Sequence, residues 1–131
     1  MNNNFNSFDQ DDQTAMFNPA DIQQNKGISY VAYVPLLFLI PLFAASNSPY
    51  AKFHANQGII FTLFSFLLGI VFGILGFVLG FIPILGTIVG ILLWAIEVIA
   101  VIGLLVIGML NVSQGKAKRL PIIGGLATFV K

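Results

Sequence analysis

Hydrophobic and polar positions separate along this chain into a polar first part, a long apolar stretch and a short polar end. Between Gly58 and Val112, Glu97 is the only charged residue. A helix in water needs a polar face, whereas a helix that crosses a bilayer needs about 20 mostly apolar residues. The stretch is long enough for two such helices, so the sequence predicts an integral membrane protein.

A third apolar segment, residues 28–45, precedes this stretch and contains Pro35 and Pro41. Its roughly 18 residues just suffice to cross a bilayer. Proline removes a backbone donor, so this span is expected to be kinked. A re-entrant or interfacial segment is the alternative interpretation.

The predicted fold class is therefore all-α: a polytopic membrane protein with three transmembrane helices. Its second and third helices are expected to form a close-packed, glycine-rich hairpin with a tight turn at Pro83. The predicted spans are residues 28–45, 58–81 and 85–111. The similar sequences of residues 83–86 and 121–124 predict two turns at helix boundaries.

Polar segments flank the predicted transmembrane domain of residues 28–112. Residues 1–27 predict a largely disordered polar tail, within which Asn18 and Pro19 are typical of a helix start. Residues 113–131 predict a basic, interfacial C-terminal tail, whose last apolar stretch is too short to cross. That stretch is expected to lie on the membrane surface or to pack against the first loop, residues 46–57.

Three spans would place the two ends of the chain on opposite faces of the cell membrane. The C-terminal tail and the first loop hold most of the Lys and Arg residues, which mark the cytoplasmic side. The sequence therefore predicts a multi-pass protein with its N-terminus outside and its C-terminus in the cytoplasm.

Composition narrows the chemistry further. Charged residues make up 8 % of the chain, against about 25 % in soluble domains. The net charge of +1 provides no basic field for nucleic acid. The chain has no cysteine and one histidine, which speaks against a zinc site. With no catalytic grouping or phosphate loop, we expect no catalytic, metal or cofactor site and no enzyme.

Small residues form a stripe on the second predicted span, and their spacing keeps them on one helix face, within about 80°. Such a stripe favours close approach of another helix, either the third span or a second copy of the chain. The stripe consists of Gly58, Thr62, Ser65, Gly69, Gly73, Gly76 and Gly80.

The third predicted span has a matching face that carries Glu97 near the bilayer centre. An ionised carboxylate there costs a few kcal/mol, about 3 on insertion scales. One hypothesis is a neutral Glu97 that hydrogen-bonds Thr62, Ser65 or a backbone carbonyl; the other is an ion or proton role. The remaining residues of this face are Gly86, Gly90, Gly108 and Asn111.

Two polar groups lie at the predicted membrane boundary. The first is the motif of His54, Asn56 and Gln57, expected to be interfacial, in which Asn56 and Gln57 serve the exposed amides at the start of the second span. The second is a basic cluster after the last span, which predicts contact with anionic lipid. It comprises Lys116, Lys118 and Arg119.

The order of these pieces resembles a family of small bacterial membrane proteins similar to the chloroplast inner-envelope import component, the Tic-twenty-like family. The resemblance implies a helical membrane domain and covers roughly residues 18–131. Its most specific piece is the His-Ala-Asn-Gln-Gly run. The pieces that carry it are residues 21–26, 51–58, 82–86, 111–118 and 120–124.

These observations predict a non-enzymatic membrane protein, a scaffold or subunit of a translocation or envelope complex. The alternative is a small oligomeric channel or transporter subunit that uses Glu97. The expected partners are membrane lipids and either a second copy or another membrane protein, with no nucleic acid and no cofactor.

Overall fold

A computed structural model describes residues 12–130, and within that range the regular elements are helices. The predicted disorder of the N-terminal tail falls largely on residues 1–11, which lie outside the described residues. Two short 3-10 helices, Thr14–Met16 and Tyr30–Tyr33, accompany four α-helices. The α-helices are α1 (Pro19–Ser29), α2 (Leu39–Ala44), α3 (Pro49–Leu79) and α4 (Leu85–Ser113).

The start of α1 follows the prediction. The Asn18 side chain accepts a hydrogen bond from the amide of Ala20 at 2.9 Å, and Pro19 occupies the first helical position. Asp21 follows in the first turn, where its charge interacts favourably with the helix dipole. The prediction of a capped helix start at Asn18 is confirmed.

Helix α3 begins earlier than expected. Ser48 caps it by accepting from the amide of Ala51 at 3.0 Å, and Pro49 takes the first helical position. Residues 49–57, expected in a loop, are therefore the first turns of a continuous helix of 31 residues. At 1.5 Å per residue this helix is about 46 Å long, more than the roughly 30 Å of hydrocarbon in a bilayer.

Two helices, α3 and α4, are long and apolar enough to cross a membrane. Residues 28–45 instead form a 3-10 helix, a turn and the six-residue helix α2. A helix of six residues spans about 9 Å, too short to cross. The prediction of three transmembrane helices is not confirmed, and the structure supports two.

The physical reason lies at Pro35, which directs the chain into a turn. The amide of Leu37 donates to the carbonyl of Val34 at 3.0 Å, and Leu36 between them has a φ of 69°. The 3-10 helix that precedes this turn lies against α3 at Gly58. A Cβ built on Gly58 would lie 1.9 Å from the carbonyl oxygen of Ala32, so the glycine permits this approach.

The buried core lies at one end of the molecule. We call residues 12–61 and 104–130 the headpiece, and residues 62–103 the hairpin arm. In the hairpin arm, Gly86 is the one buried residue, and large side chains such as Phe66 and Trp94 are more than 60 % exposed. Hydrocarbon is the solvent that suits such a surface. The headpiece core contains Ala32, Tyr33, Ile60, Phe61, Val112, Leu120 and Ile123.

The two similar sequences at residues 83–86 and 121–124 form the same turn. In both, the amide of the third residue donates to the proline carbonyl, at 2.7 Å and 2.8 Å respectively. The residue between them, Ile84 or Ile122, takes a φ of 63° or 70°, which is unusual for a β-branched side chain. The prediction of two turns is confirmed, although a helix follows only the first within the described residues.

Candidate functional site

The candidate site is the junction where α3 meets the C-terminal segment, by which we mean residues 114–130. Gln57 lies at its centre and is 1 % exposed. Its Oε1 accepts from the amide of Leu120 at 2.9 Å, and its Nε2 donates to the carbonyl of Gly124 at 3.0 Å. One buried side chain therefore fixes two points of the C-terminal segment.

Asn56 holds the end of the same segment. Its Nδ2 donates to the carbonyl of Ala127 at 3.2 Å. Its Oδ1 accepts from the amides of Phe129 at 2.6 Å and Val130 at 3.2 Å. We expected Asn56 and Gln57 to serve the amides at the start of their own helix, but both bind the backbone of the C-terminal segment.

His54 is fully buried between the first and last parts of the headpiece. Its Nε2 lies 2.9 Å from the carbonyl oxygen of Lys116, and its Nδ1 lies 2.7 Å from the hydroxyl of Tyr33. A carbonyl only accepts, so we assign the proton to Nε2, and in the neutral ring Nδ1 accepts from Tyr33. His54 is thus an interior residue, whereas the sequence suggested an interfacial one.

Asn111 extends this pattern to α4. Its Nδ2 donates to the carbonyl of Lys118 at 3.2 Å. The polar side chains buried at this end of α3 and α4 therefore share one task, because each of them hydrogen-bonds the C-terminal backbone. Buried amide groups that are all satisfied in this way stabilise one packing arrangement.

Asp21 connects α1 to the start of α3. Its carboxylate accepts from the amide of Tyr50 at 3.0 Å, from Asn25 Nδ2 at 2.8 Å and from the Ser48 hydroxyl. Burial by itself would raise the pKa of Asp21, but the hydrogen bonds outweigh it, and the pKa lies below its usual value. Nothing in the sequence singles out this carboxylate from the other aspartates.

The N-terminal and C-terminal segments are hydrogen-bonded to each other. The amide of Gln13 donates to the carbonyl of Ala117 at 2.8 Å, and the amide of Ala117 donates to Thr14 Oγ1 at 3.0 Å. Segments joined in this way cannot lie on opposite faces of a bilayer. The predicted topology, with the N-terminus outside and the C-terminus in the cytoplasm, is therefore not supported.

Asp12 lies beside the basic cluster. Hydrogen bonds from the Thr14 hydroxyl and amide lower the pKa of Asp12, with a smaller contribution from the charges of Lys116 and Lys118. Lys116 is exposed, whereas Lys118 and Arg119 are half-buried. The predicted contact of this cluster with anionic lipid stays a prediction.

Close packing at the glycines occurs in the headpiece and at the turn of the hairpin arm. A Cβ on Gly108 would lie 2.5 Å from the ring of Tyr33, and one on Gly86 would lie 1.9 Å from the carbonyl oxygen of Leu79. Gly80 contacts its own last helical turn, at 3.2 Å from the Phe77 carbonyl oxygen. In the middle of the arm, nothing described lies within 4 Å of a Cβ built on Gly73, Gly76 or Gly90.

Glu97 faces α3 from the middle of α4. Its Oε1 lies 3.4 Å from a Cβ built on Gly69, and the side chain is half-buried. The hydroxyls of Thr62 and Ser65 are buried without a hydrogen-bond partner among the described residues. The expected bond from Glu97 to either hydroxyl is therefore not formed within one chain.

The residues missed by sequence reasoning are Tyr33, Asp21 and the C-terminal backbone itself. Tyr33 lay inside an apolar segment that hydropathy assigned to a span. The described residues contain no group of three or more His, Asp or Glu side chains that could hold a metal ion.

Two apolar helices and one hydrogen-bonded headpiece define a multi-pass α-helical membrane protein. Comparison with family models then identifies the family: the chain belongs to the MamF/MmsF family, described as the magnetosome magnetite crystal formation protein family, whose model matches residues 24–127. No curated protein and no solved structure matches the chain.

This match corrects the resemblance to the Tic-twenty-like family, which is wrong. The pieces on which that resemblance rested, from residue 51 onward, lie inside the range matched by the MamF/MmsF model. They therefore belong to the magnetosome family, and a role in a translocation complex loses its support.

Proposed function

We propose that this protein takes part in magnetite crystal formation as a non-enzymatic membrane protein that acts as a scaffold. The observation that carries the proposal is that Gln57 accepts a hydrogen bond from the amide of Leu120 and donates one to the carbonyl of Gly124. These bonds attach the C-terminal segment to the helix that enters the membrane. The hairpin arm thereby holds a folded headpiece at the membrane surface, where it can bind other components.

The use of the buried polar groups supports this proposal. His54, Asn56, Gln57 and Asn111 each hydrogen-bond backbone groups of the C-terminal segment. A catalytic group must instead reach a substrate. Polar side chains engaged in this way fit a structural role.

The headpiece is proposed to face the cytoplasm. Residues 58–115 contain neither Lys nor Arg, so the basic residues flank the hairpin arm on the headpiece side. Excess Lys and Arg in short flanking segments marks the cytoplasmic face. The turn at residues 80–87, which is at the other end of the arm, then points toward the opposite face.

Complementation in a magnetosome-forming bacterium tests the scaffold role. Deletion of the gene is expected to reduce crystal size, measured by electron microscopy, and the natural gene to restore it. Gln57→Leu is expected to reach the membrane yet restore crystals poorly, because the C-terminal segment is released. Gln23→Leu, at an exposed position on α1, is the matched control. Normal crystals in the deletion strain would refute the proposal.

The topology is tested separately with single cysteines, since the chain has none of its own. Asn47→Cys, on the headpiece surface, is expected to resist a membrane-impermeant maleimide in intact cells and to react after permeabilisation. Thr87→Cys, beside the turn, is expected to show the opposite pattern and to react in intact cells. Labelling of Asn47→Cys from outside would show that the headpiece faces away from the cytoplasm, contrary to the proposed topology.

One observation favours a second function, an oligomeric channel or transporter subunit. Glu97 lies half-buried in the middle of the hairpin arm, next to a face whose central glycines have open space beside them. A carboxylate at that depth is a candidate for ion or proton passage. Ion flux into proteoliposomes that disappears in Glu97→Gln would support this function, and unchanged flux would exclude a role of the carboxylate.

A further inference from the structure

A cavity of about 350 Å³ opens on the headpiece between the start of α3 and the C-terminal segment. Lys52 and Arg119 line it from these two elements. Phe17 and Phe53, in edge-to-face contact at 5.7 Å, form part of its apolar wall. No Asp or Glu of the described residues lines the cavity. The cavity thus combines two positively charged side chains with an aromatic wall.

One guanidinium nitrogen of Arg119, Nη1, has no hydrogen bond among the described residues. With the Gln13 amide oxygen turned toward it, the guanidinium donates from Nε at 3.2 Å and from Nη2 at 3.0 Å. Its Nη1 lies toward the cavity, 3.6 Å from a Cβ built on Gly125. Within residues 12–130, neither Arg119 nor Lys52 has a carboxylate among its hydrogen-bond partners. A planar guanidinium with free donors is well suited to phosphate.

The depth of the cavity matches the lipid headgroups. Lys52 precedes Gly58, where the uncharged part of α3 begins, by six residues, or about 9 Å along the helix. The headgroup layer extends about 5–8 Å beyond the hydrocarbon on each side of a bilayer. The backbone of Lys52 therefore lies just outside this layer, and its long side chain can reach back to the level at which phospholipid phosphates lie.

We propose that this cavity binds a phosphate group, carried by an anionic phospholipid, between Lys52 and Arg119. The cations neutralise the phosphate, and the wall of Phe17 and Phe53 contacts the upper part of an acyl chain. Lys116 and Lys118, although close in sequence, do not line the cavity. The site thus differs from a general attraction of the basic tail to an anionic surface.

The test uses the full-length protein in neutral detergent and calorimetric titration with short-chain phosphatidylglycerol. Binding is expected to be saturable and to weaken at least tenfold in the Lys52→Gln, Arg119→Gln double variant. The matched control, Lys26→Gln with Lys116→Gln, removes the same charge outside the cavity and is expected to change affinity less than twofold. Equal losses in the two double variants, or no loss in the first, would overturn the proposal.

A further variant guards against misfolding. Gly125→Val keeps every charge and places a side chain in the cavity, so it is expected to weaken binding at least fivefold. Unchanged affinity of Gly125→Val would overturn the proposal. Inorganic phosphate is titrated in parallel to separate the two sources of the anion. Weaker binding of free phosphate supports a lipid ligand, whereas equal binding overturns the assignment to lipid.

Discussion

The hydroxyl of Tyr33 and Nδ1 of His54 lie 2.7 Å apart in the interior of the headpiece, where both residues are fully buried. Tyr33 comes from the short 3-10 helix that follows α1, and His54 from the second turn of α3. Their hydrogen bond therefore connects two parts of the chain. One is the segment of residues 28–45, which was expected to cross the membrane, and the other is the membrane helix α3.

Tyr33→Phe is expected to lower stability by about 1–3 kcal/mol, because His54 Nδ1 would lose its partner in a buried position. The measurement is thermal or denaturant unfolding of the detergent-solubilised protein. Tyr30→Phe removes a hydroxyl from a half-buried neighbouring tyrosine that has no side-chain hydrogen bond among the described residues. Equal stabilities of Tyr33→Phe and Tyr30→Phe would contradict the assigned role of the bond.

Gln57→Leu is expected to free the C-terminal segment. It leaves the amide of Leu120 and the carbonyl of Gly124 buried without partners, and each costs about 1–3 kcal/mol. Hydrogen exchange should show faster exchange at residues 117–130 and little change in α1. The control is Gln114→Leu, at an exposed position. Unchanged exchange at residues 117–130 would show that Gln57 does not hold the segment.

Two glycines of α4 are expected to respond oppositely to substitution by alanine. Gly108→Ala should destabilise, because the new Cβ would lie 2.5 Å from the Tyr33 ring. Gly103→Ala has open space and should be neutral or stabilise by up to about 1 kcal/mol through helix propensity. Unfolding midpoints measure both variants. A tolerated Gly108→Ala would argue against the close contact of α4 with Tyr33.

Stability is expected to fall in acid through Asp21. Its pKa in the folded protein lies below the usual value, so its contribution is complete above the unfolded-state pKa of about 3.9 and is lost as pH falls through the folded pKa. Asp21→Asn should therefore be less stable than the natural protein at pH 6, with a smaller difference near pH 3. A difference that stays constant over this range would exclude Asp21 as the titrating group.

The two membrane helices and the capped start of α1 could be predicted from the sequence, because apolar composition and the pair Asn18–Pro19 are local signals. The failure of residues 28–45 to form a span was harder to foresee. The hydropathy of the segment contains no information about the turn at Pro35. It also does not show that Gly58 allows the carbonyl of Ala32 to approach α3 closely. Both are contacts between distant parts of the chain.

The sequence predicted the polar residues on the α3 side of the junction but not the groups that they bind. The run of His54, Asn56 and Gln57 was distinctive, but its partners are backbone groups of the C-terminal segment, and a backbone group leaves no residue signature. The same holds for the chain ends, whose pairing through Gln13 and Ala117 leaves the predicted topology without support. The predicted topology placed the two chain ends on opposite faces because it relied on three spans and on the distribution of Lys and Arg residues.

Helix α3 passes from the headpiece into the hairpin arm without a break, from Pro49 to Leu79. No loop separates the two regions, so they share one axis. If the surrounding bilayer bends or thins and the hairpin changes its tilt, the headpiece must swing with it. The geometry of the lipid is in this way converted directly into the orientation of the surface that the protein presents.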